Sequence, residues 1–110
     1  MSNPGADWER TVIEYARVNG WLVHHPKKIR TRSGWLTGED GDKGYPDLTL
    51  VRDRSILIVE LKTGKGRLSK DQEQWISQLK RATKNTGNIN VYVWYPEDWP
   101  EIQRLLGRVK

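Results

Sequence analysis

The chain has 110 residues, 19 Lys plus Arg against 14 Asp plus Glu, and no cysteine. That length suits one ordinary domain with a modest core, and the lack of cysteine excludes a disulfide scaffold, a thiol nucleophile and thiolate metal sites. No run approaches the roughly 20 apolar residues of a membrane span, and Met1-Ser2-Asn3-Pro4-Gly5 shows no apolar signal segment, so a soluble cytosolic chain is expected.

Asp7 to Asn19 predicts a helix, because Trp8, Val12, Tyr15 and Ala16 recur at helical spacing and Gly20 follows as a stop. Trp21 to His25 reads as a short strand ended by Pro26. From Lys27 to Gly44 no period persists, and a long loop is expected, which at this length is more often functional or mobile than idle. Pro46 to Val51 and Ser55 to Lys62 are β-rich runs separated by Arg52-Asp53-Arg54, a hairpin signal. Ser69-Lys70-Asp71-Gln72 is a capping box, and Gln72, Trp75, Ile76 and Leu79 then mark one face of a helix reaching about Lys84, with Trp75 expected to pack. After the turn Asn85-Thr86-Gly87-Asn88 comes a strand, Ile89 to Tyr95. A last helix begins near Asp98, with Glu101 completing a second capping pattern ahead of Ile102, Leu105, Leu106 and Val109. The predicted order is α-β-β-β-α-β-α, with no repeat and no second domain.

The net charge of +5 is unevenly spread. Lys27, Lys28, Arg30 and Arg32 form one stretch, Lys62, Lys65, Arg67 and Lys70 a second, and Lys80, Arg81 and Lys84 a third, with no acid inside any of them. Patchy positive potential suits a polyanion, since neutralised phosphates release counterions. Solvated loop and helix faces are the plainer alternative. Six Trp, four Tyr and no Phe serve base stacking or a small core equally well.

Chemistry concentrates at one place. In Ile56-Leu57-Ile58-Val59-Glu60-Leu61-Lys62, strand alternation turns Leu57, Val59 and Leu61 to one face and Ile58, Glu60 and Lys62 to the other. If the hairpin closes across Arg52-Asp53-Arg54, Asp47 comes beside Glu60. Two facing carboxylates repel unless neutralised; a divalent cation does this best, and hard oxygen ligands with open positions select Mg²⁺ or Mn²⁺. A neighbouring Lys can orient or deprotonate a water and balance charge on a phosphorane. Taken singly, Glu60 and Lys62 are explained by a salt bridge on an exposed face, and Asp47 by a turn-stabilising role after Pro46.

Taken together, Gly44-Tyr45-Pro46-Asp47, Glu60-Leu61-Lys62 thirteen residues on, and the Arg67-Leu68-Ser69-x-x-Gln72-x-x-Trp75 helix start closely resemble the PD-(D/E)XK nuclease superfamily. Within it the chain is similar to the VRR-NUC branch, especially its small stand-alone phage and bacterial forms. The resemblance covers nearly the whole chain. It implies an α/β fold with a restriction-endonuclease-like core, a central mixed β-sheet flanked by helices, as a single nuclease domain over 1–110. It also implies that Asp47, Glu60 and the Leu61 backbone carbonyl ligate Mg²⁺ (or Mn²⁺), that Lys62 is the catalytic lysine, and that a first-helix acid joins them, Glu9 by preference or Glu14. Gln72 matches the family's helix glutamine beside the catalytic set, although its capping role explains it equally.

The expected activity is therefore metal-dependent DNA endonuclease cleavage, structure-selective for branched or Holliday-junction-like DNA, in the cytoplasm of a bacterial or phage-infected cell. A homodimer would meet both equivalent cleavage points of a symmetric junction. Lys27, Lys28, Arg30, Arg32, Lys43, Lys65, Arg67 and Lys70 are the expected backbone contacts. Trp35 and Tyr45 are candidates to stack on a base or plug a junction. A non-cutting nucleic-acid-binding module of the same fold is the competing reading, disfavoured because each catalytic position holds a competent residue type. His24 and His25 are candidates to touch phosphate or, less favoured, metal, but they face opposite ways on a strand and cannot form one chelate, and packing or surface placement is the expectation. Gly64-Lys65-Gly66 lacks a Walker A frame.

Overall fold

The structure, a computed structural model, describes residues 3–26, 29–31, 34–36 and 40–108, with the backbone alone for 29–31 and 34–36. Helix α1 (Pro4–Val18) starts three residues before the expected Asp7. Its cap lies upstream of the first apolar residue: the Asn3 side chain accepts the Ala6 N–H, and Pro4 takes the first helical position. Gly20, at φ +86, turns the chain into β1 (Leu22–His24).

The segment expected to be a long loop instead carries a two-stranded antiparallel hairpin, β2 (Ile29–Thr31) and β3 (Gly34–Leu36), pairing Ile29 with Leu36 and Thr31 with Gly34. Strands of three residues are too short for an alternating pattern to show in the sequence. The side chains of Arg30 and Trp35 are not described, and Lys27, Lys28 and Arg32 lie outside the described residues.

β4 (Leu48–Arg52) and β5 (Ser55–Leu61) form the expected hairpin, closed by Asp53-Arg54 with Asp53 at φ +54. Asp tolerates this left-handed turn conformation better than most side chains. β5 runs parallel to β6 (Ile89–Trp94), so a crossover is needed, and α2 (Lys70–Thr83) supplies it. The sheet order is β1-β4-β5-β6, antiparallel except for the last pair, a mixed sheet as expected.

Alternation divides the core between the two faces. Leu48, Leu50, Leu57, Val59 and Trp94 pack under Trp8, Val12 and Ala16 of α1 and Ile102 and Leu106 of α3 (Trp99–Leu106). Ile58 and Val91 pack under Ile76 of α2 on the other face. A single 3₁₀ turn (Pro96–Asp98) precedes α3, and no side chain caps that helix: Asp98 accepts from the Tyr95 N–H, while Glu101 pairs with Arg104 rather than completing a capping box. No helix among the described residues is long and apolar enough to cross a membrane.

Arg52 ties the helix ends to the sheet. Its Nη1 donates to the carbonyls of Asn19 (3.0 Å) and Leu106 (2.7 Å), and Nη2 to Gly107 (3.4 Å). Its guanidinium lies 4.4 Å from the Trp21 ring centroid, and Trp21 Nε1 donates to the same Leu106 carbonyl. Charged hydrogen bonds of this kind contribute roughly 1.5–3 kcal/mol. Arg52→Ala is therefore expected to lower unfolding stability by about 2–3 kcal/mol in urea titrations, and Arg52→Lys to recover only part of it, because a single ammonium cannot span these carbonyls in a planar fork.

Candidate active site

The β4–β5 register decides where the chemistry meets. Leu48 pairs with Val59, so Asp47, one residue before the strand, comes opposite Glu60. The approach to Asp47 is built against the start of α2. Gly44 sits at φ +97, and a Cβ there would stand 2.6 Å from the Asp71 backbone carbon. Only glycine fits that approach. Trp75 donates from Nε1 to the Asp42 carbonyl (3.2 Å), and its ring meets Tyr45 edge-on at 5.0 Å. Trp75 is thus half-buried and fastens the 42–45 segment, whereas the helix residue buried against the sheet is Ile76. Pro46 is fully buried behind this contact.

Asp47 Oδ2 accepts the backbone N–H of Leu61 at 2.8 Å. Glu60, only 2% exposed, receives a hydrogen bond on Oε2 from Gln72 Nε2 (3.0 Å), and Lys62 Nζ lies 3.4 Å from the same oxygen. Gln72 Oε1 accepts both from Lys62 Nζ (2.9 Å) and from the Ser69 N–H (2.9 Å). The two explanations of Gln72 open at the sequence level are held by one amide: it completes the capping box of α2 and bridges Glu60 to Lys62. A Gln at this position has both a donor and an acceptor to offer; Glu has no donor when ionised.

Glu9, Asp47, Glu60, Leu61, Lys62 and Gln72 line one cavity of about 200 Å³, floored by Trp8. Glu14 is exposed on α1 and does not line it. Among the described residues no three acidic, His or Cys side chains converge into a ready-made metal cage. Glu9 reaches the cavity rim, where His25 Nε2 lies 3.1 Å from its Oε1. Sequence reasoning missed this His25 contact; no motif joins the two positions, and only the fold brings them together. Lys65, Arg67 and Lys70 are exposed on the loop between β5 and α2 and at the start of α2. That loop is pinned by the Tyr95 hydroxyl, which donates to the Gly66 carbonyl at 2.8 Å. Lys43 is exposed within the 42–45 segment, and Tyr45 is 39% exposed.

Burial is the main force on Glu60. It pushes the carboxyl up to about 7, with the Asp47 charge adding to the rise and Lys62 opposing it. Glu60 Oε1 is buried without a hydrogen-bond partner among the described residues. An orphaned carboxylate oxygen beside a second carboxylate, with oxygen donors on each side, fits a hard divalent cation such as Mg²⁺ or Mn²⁺. In the metal-free protein, a raised carboxyl affinity for protons favours folding most below the ordinary Glu range and loses that advantage as pH rises through about 7. The displacement corresponds to about 3 kcal/mol. Glu60→Gln is therefore expected to melt above wild type at pH 8 in EDTA, with the difference vanishing near pH 4.5.

A sequence profile of the VRR-NUC domain matches residues 23–96. No curated protein matches the chain. Among solved structures, a Holliday junction resolvase, Hjc from Archaeoglobus fulgidus, is similar at 22% identity and a TM-score of 0.47, over 84% of this chain and 69% of its own. The profile match spans both strands of the Asp47–Glu60 hairpin, the whole of α2 and the last strand, so the chain belongs to the VRR-NUC family.

Proposed function

We propose that this chain is a divalent-metal-dependent DNA endonuclease, working as one nuclease domain on branched DNA such as four-way junctions. The observation that carries the reading is the shared cavity of Asp47, Glu60 and Lys62, with a buried Glu60 oxygen lacking a partner. Asp47, Glu60 and the Leu61 carbonyl are the proposed ligands, with Glu9 at the rim. A bound Mg²⁺ or Mn²⁺ would supply Lewis-acid polarisation of a phosphoryl oxygen.

The protein's own groups do the rest. Asp47 is held in place by the Leu61 N–H, and Glu60 by Gln72. Lys62 Nζ, fixed between Gln72 Oε1 and Glu60, is placed to orient the attacking water and to offset negative charge as phosphorus becomes five-coordinate. The water oxygen bonds to phosphorus and gives up its proton to solvent, the bond to the 3′-oxygen breaks, and that oxygen leaves with a proton from solvent. Lys43, Lys65, Arg67 and Lys70 are exposed and suit phosphate contacts, which position a duplex without reading its sequence. Lys27, Lys28, Arg30 and Arg32 are proposed as further backbone contacts. Shape selection therefore fits this chain better than sequence selection, and a two-fold homodimer in the cytoplasm is the assembly we propose for a symmetric junction.

Incubation with a labelled four-way junction tests this. Wild type is expected to nick the junction in Mg²⁺ and not in EDTA. Lys62→Ala is expected to keep binding while cleavage falls by roughly 10²–10⁴-fold, the range for a positioned proton-transfer group. Tight binding with no cleavage in Mg²⁺ or Mn²⁺ would make the chain a binding module instead.

A further inference from the structure

Glu9 faces a difficulty that Asp47 and Glu60 do not. Asp47 is fixed by a backbone N–H and Glu60 by burial and Gln72, but Glu9 projects from a helix with its side chain 33% exposed. A long side chain at a cavity rim loses rotamer entropy by staying there and gains little from solvent contact. Something must hold it toward the cavity if it is to act there.

The restraint in the structure is His25. Its Nε2 lies 3.1 Å from Glu9 Oε1, and its side chain is 27% exposed. His25 follows β1, which is registered on β4 with His24 opposite Thr49. The imidazole is thus anchored through the sheet to the strand that Asp47 leads into, while Glu9 comes from a different layer of the fold. Engaging one carboxylate oxygen leaves the other free to serve the cavity.

We propose that His25 is a positioning residue that holds Glu9 as the third, rim carboxylate of the divalent-cation site; the inference rests on the metal-dependent reading above. An ion pair this exposed adds little to stability, so its consequence is orientation. Outer partners that orient a metal-binding side chain alter metal affinity by about 10–100-fold when removed.

The test is calorimetric titration of the intact protein with Mn²⁺ alone, beside thermal melts without metal. His25→Ala is expected to raise the Mn²⁺ dissociation constant about tenfold, and His25→Gln, which keeps a donor, to stay within about threefold of wild type. In a Glu9→Gln background, His25→Ala is expected to have no further effect. The metal-free melts of both His25 variants are expected to stay within a few degrees of wild type. Unchanged Mn²⁺ affinity in His25→Ala, or a full tenfold loss even without the Glu9 carboxylate, would overturn the positioning role while leaving the metal site standing. No Mn²⁺ binding by wild type would overturn the metal site and this role together.

Discussion

A carboxylate buried at the end of a β-strand sets the terms for the rest of the molecule. Glu60 is almost wholly removed from water, one of its oxygens is taken by Gln72 with Lys62 beside it, and the other has no partner among the described residues. Desolvating a carboxylate is expensive unless a compensating charge lies close. Lys62 supplies part of that compensation, but Asp47 works against it by adding a second negative charge on the same side. An arrangement that raises the cost of its own ionisation is hard to explain as packing. It fits a cation site, because a cation there would offset both the desolvation and the repulsion at once.

Each element near the site serves this convergence. The two-residue turn at Asp53-Arg54 sets the β4–β5 register, and a shift of one residue would send Asp47 and Glu60 to opposite faces. The glycine at Gly44 lets the chain pass against the first turn of α2. The same turn delivers Gln72, so helix start, approach loop and strand end are mechanically one unit. Remote from it, Arg52 and Trp21 tie the C-terminal ends of α1 and α3 to the opposite end of the sheet.

The parts readable from sequence are those whose signal is local. The capping box of Ser69 and Gln72 spans four residues, the alternation in Ile56 to Lys62 spans one strand, and the Arg52-Asp53-Arg54 turn fixes one hairpin. From these the meeting of Asp47, Glu60 and Lys62 followed without knowledge of the third dimension. The contacts that escaped join residues distant along the chain. Arg52 belongs to the hairpin signal in the sequence, but its side chain reaches carbonyls 33 and 54 residues away. His25 meets Glu9 only because β1 folds back beside α1. Trp75 fell on the apolar face of its helix by spacing, yet its indole N–H drew it to the Asp42 carbonyl, a partner that hydropathy cannot signal. The β2–β3 hairpin was invisible because three-residue strands carry too few positions to alternate.

The most direct measurement is anomalous scattering from a crystal soaked in Mn²⁺. The account predicts a peak inside the cavity, within ligating distance of Asp47 and of the buried Glu60 oxygen that now lacks a partner. A fully soaked crystal with no peak there, or with manganese only at other surface carboxylates, would contradict it.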